Sequence, residues 1–280
     1  LLVVSVRLVF ELEAITDNIY DLRYHHSLQG FVYRLLKHAG YVGVHDAQGY
    51  KFFSFSNIYP PRDAAVGERR SLIIASPDPG MVVAMKTATK RLHPDGQIRI
   101  GKSEWAVRGL ELVGPRIGRS GCVKTGTPIV IRIPKDRYTA YGIKPDKDYE
   151  YLYWRPPLPL AAFRKQIEDN LYKKYRDYYG RTGAEMEGRG RREDESTILE
   201  EIQFRKQVCN HILINGSEVK VIGTLWEFHF KHLDGEKREI VKFGVDAGFG
   251  EMNSLGFGFM NVARGSCASP SLPVEVTGRG

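Results

Sequence analysis

Every even position from Leu2 to Leu12 is apolar (Leu2, Val4, Val6, Leu8, Phe10, Leu12), while the odd positions include Ser5, Arg7 and Glu11. Successive side chains of a strand face opposite ways, so this run is a strand with one buried face. The next periodic segment supplies a cover for that face. Leu28, Phe31, Val32, Leu35 and Leu36 recur at helical spacing until Gly40 stops them. Lys51 to Ser56 and Ser71 to Ala75 read as strands. Pro79 to Leu92 reads as a helix, with proline in its first turn and Met81, Met85, Ala88 and Leu92 on its inner stripe. Residues 97–113 are strand material. The order β-α-β-β-α-β is that of a ferredoxin-like unit.

The order then begins again. Residues 114–126, rich in glycine and basic side chains and without periodicity, read as a connection, which places a first domain at 1–116 and a linker at 117–126. Thr127 to Ile133 alternates as a strand. Leu160, Phe163, Ile167 and Leu171 form a helix stripe that Tyr175 and Tyr178 prolong. Residues 180–195 hold almost no large apolar side chains and read as a mobile insertion. Strands near 197–207 and 217–230, a short helix near 236–247 and a last strand from Gly256 to Ala263 complete a second domain, 127–263. The Ser-, Pro- and Gly-bearing stretch 264–280 reads as a loose tail. The expected fold is α+β: two tandem ferredoxin-like (βαββαβ, RRM-like) repeats.

The 280 residues carry 41 Lys+Arg against 33 Asp+Glu, a formal charge of +8, which favours an anionic partner. Cys122, Cys209 and Cys267 form no CxxC pair, so the spacing supports neither a zinc site nor a disulfide framework, and a cytoplasmic setting is the default. The apolar LLVVSVRLVF is broken by Arg7 and too short to span a bilayer, so no membrane association is expected.

Residues 248–258, GFGEMNSLGFG, place a Gly-aromatic-Gly at each end of five residues. So many glycines mark a loop whose main chain matters. Ser254 and Leu255 stand where a P-loop needs its lysine, and the stretch does not follow a strand and open a helix as a dinucleotide fingerprint does.

This pattern, just before the last strand of a second ferredoxin-like repeat, resembles the CRISPR-associated repeat-RNA endoribonucleases, the sixth of the numbered Cas families, within the repeat-associated RNA-binding superfamily. LQGFVYRLLK on the first helix, HDAQGYKFFSFS after it, TPIVIRI and VDAGFGEMNSLGFGFMNV are similar to archaeal members in order and spacing. The resemblance covers residues 1–263 apart from the insertion. It implies a catalytic centre of a helix tyrosine, a histidine just after that helix and a lysine opening the next strand. Those motif positions are Tyr33, His45 and Lys51 here. It also implies CRISPR repeat RNA as partner and no cofactor. Effector-complex proteins and a second copy of the chain are further partners it allows.

At 100° per residue Tyr33 lies roughly 130° from the centre of the helix stripe, off the core face. His45 sits in a loop bounded by Gly43 and Gly49, and Lys51 at a strand start. Each is ordinary alone. Together a phenol, an imidazole and an ammonium can run attack of a ribose 2′-OH on the adjacent phosphate, with either Tyr33 or His45 as base. No carboxylate cluster at ligand spacing lies nearby, which disfavours a two-metal nuclease. His25 and His26 read as surface or RNA-facing. The expected RNA surface comprises Gly248, Phe249, Gly250, Glu251, Asn253, Ser254, Gly256 and Gly258, whose amides would meet phosphates or bases. Lys86, Lys90 and Arg91 on the second helix and Arg116, Arg119 and Lys124 in the linker would extend it. Tyr172, Lys173, Lys174, Tyr175 and Arg176 mix aromatic and basic groups as single-strand binders do. The competing reading is an RNA-holding subunit that does not cut, which has no need of Tyr33, His45 and Lys51 together.

Overall fold

The computed structural model describes residues 6–182, 197–214 and 216–263. Leu2, Val4, Cys267, the 183–196 stretch that includes most of the expected insertion, and the 264–280 tail lie outside them.

The first sheet contains β1 (Val6–Ala14), β2 (Ser54–Phe55), β3 (Arg69–Ser76), β4 (Gln97–Ile100) and β5 (Ser103–Val113), in the antiparallel order β2-β3-β1-β5-β4. Without β4 this is the ferredoxin-like order, the first strand lying between the third and the last. Residues 97–113 are thus a hairpin that turns at Gly101, where φ is +61°. Leu8, Phe10 and Leu12 of β1 are fully buried beneath α1 (Tyr24–His38) and α2 (Pro79–Leu92). The buried positions of α1 include the five apolar ones the spacing predicts, and Asp78 caps α2 by accepting from Met81 N.

The second sheet repeats the order. It is built from β6 (Gly121–Thr125), β9 (Glu201–Ile214), β10 (Ser217–Phe230) and β11 (Met260–Val262), arranged β11-β6-β10-β9, with α3 (Leu160–Thr182) and α4 (Gly235–Ala247) as its helices. Between β6 and α3 runs an excursion whose β7 (Arg132–Pro134) and β8 (Tyr151–Tyr153) form a separate two-stranded sheet. The core gathers Trp154, Phe163, Ile167, Leu171, Trp226, Phe228 and Phe249. Trp226 stacks on Phe163 at 4.0 Å between centroids.

Several local expectations change. Residues 121–125, assigned to the linker, are the first strand of the second unit, flanked by β10 and β11. Only Cys122 and Val123 are buried there, too short a pattern to announce a central strand. The alternating Thr127–Ile133 is therefore not that strand: Ile129 and Val130 make single bridges to Thr224 and Glu251, and regular pairing begins at Arg132. The strand expected over Lys51–Ser56 shrinks to Ser54–Phe55, because Phe52 takes a left-handed backbone, φ +51°. The last strand spans only Met260–Val262, and β9 starts at Glu201 and runs on to Ile214. Residues 180–182 continue α3 and do not belong to an insertion.

The two units meet through buried polar contacts. Arg7, on the face of β1 opposite Leu8, sends Nε to Asp246 Oδ1 (3.2 Å), Nη1 to Met260 O (2.8 Å) and Nη2 to Val245 O (2.8 Å). Ser54 Oγ donates to Asp246 O at 2.9 Å. Hence Arg7, which the alternation puts on a polar face, is buried: the second unit covers that face.

Candidate active site

Tyr33, His45 and Lys51 come together. The Tyr33 ring stands edge-on to His45 at 4.9 Å and to Phe53 at 5.6 Å, so it is half-buried at the rim of α1 instead of pointing free into solvent. His45, the residue after the short 3-10 turn Val42–Val44 that follows α1, has Nδ1 2.7 Å from Asp46 Oδ1. A carboxylate accepts, so Nδ1 carries a proton, and in the neutral ring the lone pair is on Nε2. Lys51 Nζ donates to His45 O at 3.0 Å and to Ala47 O, closing the 45–51 loop on itself.

Burial raises the pKa of the Tyr33 phenol, although the Ser254 side chain within hydrogen-bonding reach opposes this. The phenol is therefore a donor at neutral pH, which favours His45 over Tyr33 as base. Desolvation lowers the pKa of Lys51; Asp46 raises it and Arg181 lowers it further.

Lys51 and Ser254 sit on opposite walls of a cleft of about 390 Å³ between the two units. One wall is residues 49–53; the other is 250–254, with Arg132, Asn170 and Lys174 also lining it. A left-handed residue stands in each wall, Phe52 and Met252 (φ +61°). Such conformations cost of order 1–3 kcal/mol and gather at functional sites.

The glycines of the loop serve a different purpose from the expected one. Gly248, Phe249, Gly250, Gly256 and Gly258 are buried. A Cβ on Gly250 would lie 2.6 Å from Val130 O, and one on Gly258 would run into Phe249 O, while both residues hold positive φ. Here glycine lets loop and neighbouring backbone cross. Most loop amides are spent internally, among them Phe249 N to Gly258 O and Glu251 N to Val130 O, both 2.9 Å. Glu251 is held by Arg132, and Asn253 Nδ2 donates to Phe249 O and Phe257 O. Among the described residues, the amides of Gly250, Met252, Asn253 and Ser254 have no acceptor. The Ser254 side chain and these four amides, not the whole loop, are what it offers to the cleft.

Other expected positions lie elsewhere. Lys86, Lys90, Arg91, Arg116, Arg119 and Lys124 are half-buried or exposed and line no part of the cleft. Arg91 bonds to His38 O, and Lys124 stands opposite Glu227 in the second sheet. His26 is exposed, but His25 is buried, stacked between Tyr24 and Phe257, with Nδ1 2.8 Å from Leu255 O. It ties α1 to the glycine-rich loop. Lys174 and Tyr175 are buried too, so the 172–176 stretch is no continuous binding face. No local pattern in the sequence singles out Arg132, Asn170 or Arg181, and only the fold brings them beside Lys51. Among the described residues one trio has metal-ligand atoms within 4.8 Å of one another, Cys122, Glu227 and His229. It lies on β6 and β10 outside the cleft, and Arg205 already holds Glu227.

Comparison with known proteins agrees with this architecture. The family model described as CRISPR associated protein Cas6, C-terminal, matches residues 114–262. A CRISPR-associated endoribonuclease Cas6 of Methanocaldococcus jannaschii is 30% identical over 91% of this chain and 99% of its own length. One of Haloferax mediterranei is 29% identical over 92% of this chain and 93% of its own. A solved structure described as CRISPR associated protein Cas6 superposes with a TM-score of 0.63 at 21% identity, covering 93% of this chain and all of that one. At that identity the likeness speaks for the fold.

Proposed function

The chain belongs to the Cas6 family of CRISPR-associated proteins, and we propose that it is an endoribonuclease that cuts CRISPR precursor RNA within its repeats, using Tyr33, His45 and Lys51. The observation that carries the site assignment is the assembly itself. A phenol stands edge-on to an imidazole whose Nδ1 is occupied by a carboxylate, and an ammonium of lowered pKa, itself lining the interdomain cleft, donates to the carbonyl of that histidine.

The chemistry follows from those groups. His45 Nε2 takes the proton of a ribose 2′-OH while that oxygen forms a bond to the adjacent phosphorus. The bond from phosphorus to the 5′-oxygen breaks, leaving a 2′,3′-cyclic phosphate on one fragment and a 5′-OH on the other. Lys51 stabilises the charge that builds on the non-bridging oxygens and, as an ammonium made more acidic by burial, supplies the proton to the 5′-oxygen. Tyr33 donates a hydrogen bond that orients the reacting ribose or phosphate. No metal takes part in this scheme. The unspent amides of 252–254, with Arg132, hold the backbone of the bound strand.

The test is cleavage of end-labelled repeat RNA in EDTA, beside a copy with a single 2′-deoxy sugar at the cut linkage. Cleavage of the all-ribose strand alone, with a cyclic-phosphate end, is expected. Cleavage of the deoxy strand, or loss of cleavage in EDTA, rules out this chemistry. Tight binding without cleavage of the cognate repeat favours the RNA-holding role.

A further inference from the structure

Helix α3 buries a charge. Lys174 is 1% exposed, between the core residues Leu171 and Tyr175. Its Nζ donates to Gly248 O and to Asn253 Oδ1, both at 2.7 Å. Both acceptors are uncharged. Taking an ammonium out of water is costly, and neutral acceptors offset less of that cost than a carboxylate does. A methionine would fill the same space without the penalty, so the charge has work that packing does not explain.

That work is visible one bond further on. Asn253, fixed through Oδ1 by Lys174, turns Nδ2 to Phe249 O at 3.1 Å and Phe257 O at 3.0 Å. One ammonium and one carboxamide thereby occupy carbonyls of residues 248, 249 and 257, on both limbs of the glycine-rich loop. With those carbonyls occupied, the segment between the limbs is left with unspent amides at 252–254 and with Ser254 beside Tyr33. Lys174 and Lys51 line the same cleft from different units.

We propose that Lys174 is a positioning residue for RNA cleavage, locking Asn253 and both limbs of the glycine-rich loop so that Ser254 stays on Tyr33 and the 252–254 amides stay across the cleft from Lys51. This rests on the reading of Tyr33, His45 and Lys51 as the reacting centre. Displacements of about 1 Å at such a centre cost up to about 100-fold in rate.

Two measurements on Lys174→Met and Lys174→Gln test it. Amide hydrogen exchange is expected to rise by about tenfold or more within 248–258 while protection of β1, β3 and β10 is kept, a local opening as distinct from global unfolding. The single-turnover rate at saturating repeat RNA is expected to fall by about 10- to 100-fold, more than RNA affinity falls. Adding Ser254→Ala to Lys174→Met should then cost little more, because both changes break one coupled unit. Unchanged loop exchange, a uniform rise across the whole chain, or fully additive losses of rate would each overturn the proposal. Should the methionine variant fail to fold, the glutamine variant, which keeps a donor, carries both readouts. Cleavage that survives His45→Ala refutes the catalytic assignment alone, since the exchange measurement does not depend on it.

Discussion

Lys174 also gives the stability of this protein an unusual pH dependence. Burial lowers its pKa from 10.5 to about 7, with the Glu251 charge opposing the shift. Between those values the unfolded chain holds a proton that the folded chain has released, so this residue makes stability rise with pH. The penalty is full below pH 7 and gone above pH 10.5. Two-state linkage with these values gives a gain of about 2 kcal/mol between pH 7 and pH 9. Lys174→Met removes the titrating group and should flatten that part of the curve, whatever it does to stability at either pH alone. Urea denaturation of both proteins at pH 7 and 9 reads the difference, because other groups titrate alike in both and cancel. With a urea m-value of about 3 kcal/mol/M, the wild-type midpoint should move up by about 0.7 M relative to the variant. Parallel shifts in the two proteins would refute the reasoning and mean that the folded protein keeps Lys174 fully charged from pH 7 to pH 9.

His45→Ala should lower the cleavage rate by about 10²–10⁴ with RNA affinity nearly unchanged, read by single-turnover kinetics and filter binding. Arg181→Gln removes a cation that lowers the Lys51 pKa, so the alkaline fall of cleavage should move to higher pH, and Asp46→Asn should move it the other way. Arg7→Ala leaves the Asp246 carboxylate in the domain interface without its guanidinium and should destabilise the protein by about 3–5 kcal/mol in thermal or denaturant unfolding. Gly250→Val puts a branched residue at φ +67° against Val130 O. It should lower both RNA binding and cleavage, with backbone strain alone costing about 1–3 kcal/mol of stability.

The repeated order of elements is legible because each helix and most strands carry their own periodicity. The α1 stripe at 28, 31, 32, 35 and 36 and the β1 alternation at 8, 10 and 12 mark the buried faces that the fold uses. What is misread is whatever depends on a partner distant in sequence. Strand β6 has two buried residues and owes its place to β10, about a hundred residues later. The buried state of His25, Arg7 and Lys174 likewise comes from covering segments more than 70 positions away, at Leu255, Asp246 and Gly248. A local pattern treats such residues as surface because a charged or polar side chain is usually solvated. The proposed trio Tyr33, His45 and Lys51 comes from the resemblance to a family, whereas the Asp46 partner of His45 is a relation of geometry.

The split of the site between the two units bears on how activity can be lost. Tyr33, His45 and Lys51 belong to the first unit, where Tyr33 packs on the core, His45 lies against its ring and Lys51 bonds to the His45 carbonyl, so their contacts with one another do not cross the interface. Their complement lies beyond it: Ser254 and the free amides belong to the second unit, and they are held to the first by Arg7, Ser54 and His25. A change at any of these three should therefore depress cleavage more steeply than it depresses folding of the first unit. His25→Phe is the sharpest case, since it preserves the stack on Tyr24 and Phe257 but removes the bond to Leu255 O. A drop in cleavage rate without a drop in the unfolding midpoint is the expected outcome. Equal losses in both would mean that the reacting centre is already complete within the first unit and that the loop contributes binding alone.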